Sequence, residues 1–303
     1  AYVYMDILSD HDLDNVKDAI DNCPEDANAD QLDTDSDGFG DICDAFNEQV
    51  SIEDAIAGLN DQVLATCVTN EGLTFVHELV SLTCAGVADL TGINEFSQLA
   101  VLSLREGTFT HVDELAPLVK LVDVDLSHGL VTDYTGLNNA DNLTVFDNYG
   151  YLNEDLTAIS GLENIQSMQI YSDVLTSLEG IQALTSLTGF YSGASNVIDV
   201  SQLQQLTNFK NLYLHHPLVT DFSPVLKHSS QLEYLSMSTS TSISCWQKAY
   251  LDSANITVYI APNGCIDTGN NEDYDLDGIS NIDEVNVGGT NPVLADTDAD
   301  SVN

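Results

Sequence analysis

A repeat of 22 residues between about Leu79 and Tyr250 limits what this chain can fold into more than any other feature. Leu102, Val124, Phe146, Met168, Phe190 and Leu212 follow one another at that interval, with Leu82 20 residues before them and Leu235 23 after. A second apolar residue follows two positions later at Leu104, Leu126, Ile170, Leu214 and Met237. Another precedes by three at Leu79, Leu99, Leu121, Leu143, Ile165, Leu187, Phe209 and Leu232. An apolar-x-apolar pair has the period of a strand with one buried face. A further apolar set falls three apart, as in Val131, Tyr134, Leu137 and in Leu175, Leu178, Ile181. That spacing suits a 3₁₀ turn closing the back of a coil. One such unit cannot bury its own apolar face, so neighbouring units must stack.

The pattern resembles leucine-rich repeats. The unit length and segments such as Leu175-Thr-Ser-Leu-Glu-Gly-Ile181 are similar to the internalin-like bacterial subclass, over roughly residues 51–265. The resemblance implies a leucine-rich-repeat solenoid of short parallel strands and 3₁₀ or short helical turns, with a helical cap at its N-terminal end. The pattern departs at Asn148 and Ser192, where the second strand position is polar. Local repacking or a bulge is the expectation there.

Charge separates the flanks from the repeats. The chain has 49 acidic residues against 6 basic ones, with 15 of the acids in residues 1–50 and 10 in 267–303. Nucleic acid and anionic membranes would be repelled, whereas bound cations are favoured. No apolar run is long enough to span a bilayer. Three segments follow: 1–48, 49–266 and 267–303.

The first segment holds two acidic loops. One carries Asp10, Asp12, Asp14, Asp18 and Asp21; the other carries Asp33, Asp35, Asp37, Asp41 and Asp44. These are positions 1, 3, 5, 9 and 12 of a 12-residue loop, the oxygen set that a hard cation requires. Position 7, Val16 or Phe39, offers a backbone carbonyl. Gly38 takes the sharp turn at position 6, and Asn15 stands there in the first copy. The stretch resembles thrombospondin type 3 repeats, which implies calcium and cysteines paired between successive loops. Through the linking run Asn28-Ala-Asp30-Gln-Leu-Asp33, the resemblance also implies that Asn28 and Asp30 add ligands to the second site.

After residue 266 the signature returns. Asp273, Asp275, Asp277, Gly278, Ile279, Asn281 and Glu284 match the EF-hand loop pattern. With Asp296, Asp298 and Asp300 beginning a further loop, the segment resembles the bacterial form of the same repeat. Ser301 replaces the usual Gly, and the last residue, Asn303, precedes positions 9 and 12. The expectation is a segment of a longer protein.

Six cysteines allow fifteen connectivities. Cys23 and Cys43 share the first segment, Cys67 and Cys84 bracket the entrance to the repeats, and Cys245 and Cys265 bracket the exit. Three local pairs are the simplest arrangement and imply an extracytoplasmic, oxidising place. Thiolate zinc ligation is the competing reading, but it lacks a paired Cys-x-x-Cys knuckle. Solenoid ends expose core and must be capped. Residues 51–65 are predicted to form one capping helix with Ile52, Ala55, Ile56, Leu59 and Val63 on its apolar stripe. At the far end Trp246 is predicted in the core of a cap, with a strand at Ile256–Ile260 stapled by Cys265. These ends predict that the solenoid stands without metal.

No Gly-x-Ser-x-Gly, His-Glu-x-x-His or phosphate loop is present, so the chain is not expected to be an enzyme. His215 and His216 are adjacent on a strand, point to opposite faces and make a poor joint metal site. The concave face offers more. Between the inward apolar positions lie Ser103, Asp125, Asp147, Gln169, Tyr191, Tyr213 and Ser236. Two residues on lie Arg105, Ser127, Tyr149, Tyr171, Gly193, His215 and Ser238. Exposed aromatics with polar tips suit recognition. Asp125, Asp147, Tyr149, Tyr171, Tyr191, Tyr213 and His215 are therefore the candidate contacts for a protein or glycan ligand. The expected function is an extracellular, calcium-stabilised adhesion module of a bacterial surface or secreted protein. The alternative is a structural protomer of a calcium-dependent surface fibre or layer, whose partner is a neighbouring copy.

Overall fold

The computed structural model of the chain describes residues 10–33, 38–43, 50–194, 196–226, 231–238, 243–253, 265, 272–287 and 290–292. Eight strands form one parallel sheet in chain order: β1 (Ser81–Ala85), β2 (Val101–Arg105), β3 (Asp123–Asp125), β4 (Val145–Tyr149), β5 (Ser167–Ser172), β6 (Gly189–Ala194), β7 (Asn211–His215) and β8 (Tyr234–Ser238). The repeat is the register itself. Leu82, Leu102, Val124, Phe146, Met168, Phe190, Leu212 and Leu235 are successive cross-strand partners. Among the described residues six 3₁₀ turns, including Thr135–Leu137 and Ile181–Ala183, close the back of the coils between successive strands. Their apolar residues meet those of the strands in one continuous core, in which Leu102, Phe146, Phe190 and Ile181 are wholly buried.

A second ladder runs along the turns. The side chains of Asp89, Asp133, Asp155, Asp199 and Asp221 each accept the N–H two residues on, at 2.8–3.0 Å, and Ser177 does the same. These residues lie 22 or 44 apart. Part of the solenoid's acidity is therefore turn chemistry, since Asp and Ser hold this bend without needing a left-handed backbone. Between coils the backbones approach closely at Gly136, where an added Cβ would sit 1.9 Å from the Val112 carbonyl oxygen.

The two polar strand positions do not bulge. Asn148 pairs with Ile170, and Ser192 pairs with Ile170 and Leu214, in unbroken register. Both side chains stay inward and buried. Asn148 donates from Nδ2 to the Tyr134 hydroxyl at 2.8 Å, while its Oδ1 has no partner among the described residues. A core partner, rather than an extra residue, accommodates the amide.

The N-terminal cap also differs from expectation. In place of one helix there are two, α1 (Ile52–Ala57) and α2 (Gln62–Asn70), broken at Gly58. The break rotates the stripe, leaving Val63 exposed and Leu64 buried. Asp61 causes it. Its Oδ1 accepts the N–H groups of Val63 and Leu64, which caps α2. Its Oδ2 accepts those of Ala88 and Asp89 from the first coil. One buried carboxylate thus joins cap to solenoid.

At the other end lie α3 (Ser223–Leu226) and α4 (Cys245–Ser253), with Trp246 buried as expected. The core does not stop at residue 266. Tyr274 and Ile282 pack on it, α5 (Asn281–Val287) packs on α4, and the Trp246 and Tyr274 rings lie 6.3 Å apart. The strand expected at 256–260 lies outside the described residues. Cys23–Cys43, Cys67–Cys84 and Cys245–Cys265 are disulfides, which removes the thiolate zinc alternative.

Candidate functional site

Parallel register carries a residue in one coil directly beside its counterpart in the next, so like side chains form ladders on the concave face. Tyr149 pairs with Tyr171, and Tyr191 with Tyr213. The Tyr149 and Tyr171 rings stack at 4.7 Å and 8°. Tyr191 and Tyr213 are tilted at 6.3 Å, and Tyr213 stacks on His215 at 4.2 Å. Gly193 makes room for this arrangement. A Cβ there would lie 2.7 Å from the Tyr171 ring, which leans across the gap toward His215. Tyr171, Tyr191, Asn211, Tyr213 and Tyr234 line an open recess of about 500 Å³. Asn211 and Tyr234 belong to a third column, two residues before the first, and sequence reasoning missed them. The signal was Tyr234 at the 23-residue step from Asn211, outside the two columns considered. Burial pulls the His215 imidazole below its usual range, which favours its neutral form.

The two aspartates lie outside this recess, in the coils before it. Asp125 accepts from Arg105 Nε at 2.6 Å, from the Ser103 hydroxyl at 3.2 Å and from the Ser127 N–H at 2.9 Å. Burial alone would raise its carboxyl, but Ser127 and Arg105 outweigh it and hold the group below the usual range. Asp147 has no cation of its own. Gln169 donates to its Oδ2 at 3.3 Å and accepts the Tyr149 hydroxyl at 2.7 Å, while Oδ1 has no partner. Burial, followed by the charges of Asp125 and Asp123, pushes Asp147 up to about 6.

A pH dependence follows from Asp147. Its folded form holds a proton more tightly than the unfolded chain does, so its contribution to stability falls as pH rises from about 4 through about 6. Asp147→Asn should raise stability at pH 7.5 by about 1 kcal/mol, after allowance for solvent screening, and by nothing at pH 3.5. Urea melts at the two pH values check this. Equal effects at both would mean the carboxylate is already paired.

The acidic loops form a second candidate site. Asp10, Asp12 and Asp14 bring carboxylate oxygens within 4.8 Å of one another, and so do Asp273, Asp275 and Asp277. The two loops share one hydrogen-bond plan. The position-6 N–H, Asn15 or Gly278, donates to the position-1 carboxylate at 3.1 or 2.8 Å. The position-7 N–H, Val16 or Ile279, donates to position 5 at 2.7 Å in both. The position-2 N–H, His11 or Tyr274, donates to position 9, Asp18 or Asn281, at 2.8 or 2.9 Å. Position 6 is left-handed in both, with φ 78° at Asn15 and 95° at Gly278. So is position 4, with φ 66° at Leu13 and 65° at Leu276, which the spacing of acids did not foretell.

In the second loop Gly38 donates to Asp33 at 3.1 Å, the same contact. Phe39 is exposed, and the Asp41 N–H donates to the Leu32 carbonyl. Asp35, Asp37 and Asp44 lie outside the described residues, as do Asp296, Asp298 and Asp300. Asn28 lies against the first loop: its N–H donates to Asp14 Oδ2 at 2.9 Å, and its amide joins Asn22 and Gln31. Asp30 is exposed and accepts the Leu32 N–H at 3.5 Å.

Among the described residues, several carboxylate oxygens in these loops are buried with no hydrogen-bond partner: Asp10 Oδ1, Asp12 Oδ2, Asp21 Oδ2, Asp275 Oδ2 and both oxygens of Glu284. Buried acceptors of one charge without donors are costly. Glu284 is 1% exposed. Burial, then Asp275 and Asp277, pushes it up to about 7, and the nearby Thr290 hydroxyl offsets only part of that. An all-oxygen donor set with orphaned oxygens fits a hard divalent cation such as calcium.

No protein-family profile matches the chain, and no curated protein matches it. Solved structures do. An internalin C2 from Listeria monocytogenes superposes with a TM-score of 0.58 at 21% identity, over 70% of this chain and 98% of that one. A second Listeria monocytogenes internalin (inlF) gives 0.58 at 20% identity, over 75% of this chain and 69% of that one. The chain therefore has the leucine-rich-repeat fold seen in the internalins.

Proposed function

We propose that this chain is a non-enzymatic binding module of an extracellular or cell-surface protein, and that it takes a protein ligand on the concave face. One observation carries this reading: of the two cross-strand tyrosine pairs, Tyr149–Tyr171 and Tyr191–Tyr213, three rings join Tyr234 around an open recess of about 500 Å³. Rigid aromatics on a preformed sheet give contact area at little entropic cost. The internalin-like fold and the three disulfides accord with a surface or secreted setting.

In this reading the flanks are thrombospondin type 3-like and hold calcium. Asp10, Asp12, Asp14, Asp18 and Asp21 supply one site with the Val16 carbonyl; Asp273, Asp275, Asp277 and Glu284 supply another with the Ile279 carbonyl. Asp12→Asn should remove one calcium from the stoichiometry measured by calorimetric titration and leave the other sites filled. A titration without heat at any site ends the calcium reading.

The recognition reading is tested by immobilising the calcium-loaded chain and offering it an extracellular-protein library, a glycan array and its own soluble copies. A protein captured by wild type and released by Tyr213→Ala supports the proposal. Capture only of glycans, or only of itself into growing chains by light scattering, replaces it.

A further inference from the structure

The third acidic loop is built into the end of the repeat core. Tyr274, at position 2 of the loop, and Ile282, between positions 9 and 12, both pack on the solenoid's apolar cluster. Tyr274 meets Trp246, which is 3% exposed in α4, at a ring separation of 6.3 Å. The Tyr274 N–H and Asn281 Oδ1 are joined at 2.9 Å, so the start of the loop is tied to the start of α5. The α5 helix then lies on α4. Within the loop, Glu284 is almost wholly buried and neither oxygen meets a donor at hydrogen-bonding geometry. The cost of that carboxylate falls on the same short helix that lies on α4.

We propose that a divalent cation in the 273–284 loop is a structural part of the solenoid's C-terminal cap, so that its binding tightens α4 and the last coil. This rests on the calcium reading of the loops and adds a consequence to it. The cation draws Asp273, Asp275, Asp277 and Glu284 onto one centre and ends their mutual repulsion. The position-2 and position-9 residues travel with them, which seats Tyr274 against Trp246 and α5 against α4. Among the described residues the first loop's contacts run instead to Asn28 and Cys23, away from the last coil.

The chain carries a single tryptophan, Trp246, and it lies at this joint. Calcium chloride is titrated into the chelated full chain while Trp246 emission and hydrogen exchange of 245–253 are followed; magnesium chloride is the control. The expected result is a calcium-dependent emission change and at least a tenfold slowing of exchange in α4. Asp275→Asn should abolish both, and Asp12→Asn should leave both intact. Tyr274→Ala should still take up the calcium that Asp275→Asn loses, counted by calorimetry, yet show no emission change.

If the Asp275-dependent calcium binds and Trp246 with α4 does not respond, the coupling is overturned while the calcium reading stands. If Asp275→Asn loses no calcium, both fall. Circular dichroism melts of each variant separate these outcomes from misfolding, and Tyr274→Ala keeps the test open should Asp275→Asn fail to fold.

Discussion

Asp61→Ala should destabilise the chain by about 3 to 4 kcal/mol, although the residue lies in no repeat strand. Losing a helix N-cap costs about 1 kcal/mol, and each charged hydrogen bond to a buried N–H adds about 1.5 kcal/mol or more. Asp61 makes four hydrogen bonds to backbone N–H groups, two in α2 and two in the first coil, one of them buried and three half-buried, and is itself 8% exposed. Denaturant melts of the variant measure the loss, and hydrogen exchange should find it centred on α2 and β1. Burial would raise this carboxyl, but its four backbone donors hold it below the usual range. The stability it supplies is therefore complete above the ordinary carboxylate pKa and is lost as pH falls below it. Asp61→Asn, which retains one good acceptor, should recover part of the loss and abolish the acid sensitivity. A cost below about 1 kcal/mol for the alanine variant would mean that water replaces the carboxylate easily.

The double variant Tyr191→Ala with Tyr213→Ala should weaken binding of the captured partner by about 100-fold or more and leave the melt unchanged. Binding energy concentrates in a few aromatic anchors, each worth about 2 kcal/mol or more. These two rings face one another across β6 and β7, and both line the recess. Neither belongs to the buried core, so the fold loses little. Surface plasmon resonance against the partner, with a thermal melt of the same sample, reads both quantities. Ser103→Ala, outside the recess, serves as the control. Undiminished affinity would demote the tyrosines to good strand formers and move the search to the convex side or the flanks.

Much of this architecture was legible because the repeat is redundant. An interval held across Leu102 to Leu212 specifies strand register, inward face and outward columns together, and the observed pairing follows it residue by residue. Places with only one copy were harder to read. The apolar spacing over 51–65 is helical throughout, and nothing in it announces that Asp61 will cap a second helix by borrowing donors from residues 88 and 89. Asn148 looked like a misfit because its partner, the Tyr134 hydroxyl, sits in the preceding coil's back turn rather than on a strand. The acids of the solenoid looked alike on paper. Geometry divides them into turn formers such as Asp133, a paired group in Asp125 and an unpaired one in Asp147. On the concave face the tyrosine ladder was readable from the columns, whereas Tyr234 and the space opened by Gly193 needed ring positions.

Strand order has a mechanical consequence. Because β1 to β8 pair only with their immediate neighbours, tension along the stack loads one strand-to-strand interface at a time, as a zip does, rather than shearing many hydrogen bonds together. Each coil released would lengthen the chain by at most about 75 Å, the extended reach of one repeat. Cys67–Cys84 and Cys245–Cys265 withhold 17 and 20 residues of sequence separation from that extension at the two ends. A tethered chain of this kind would yield in steps under load, and the segments between these linked cysteines would add nothing to its extension.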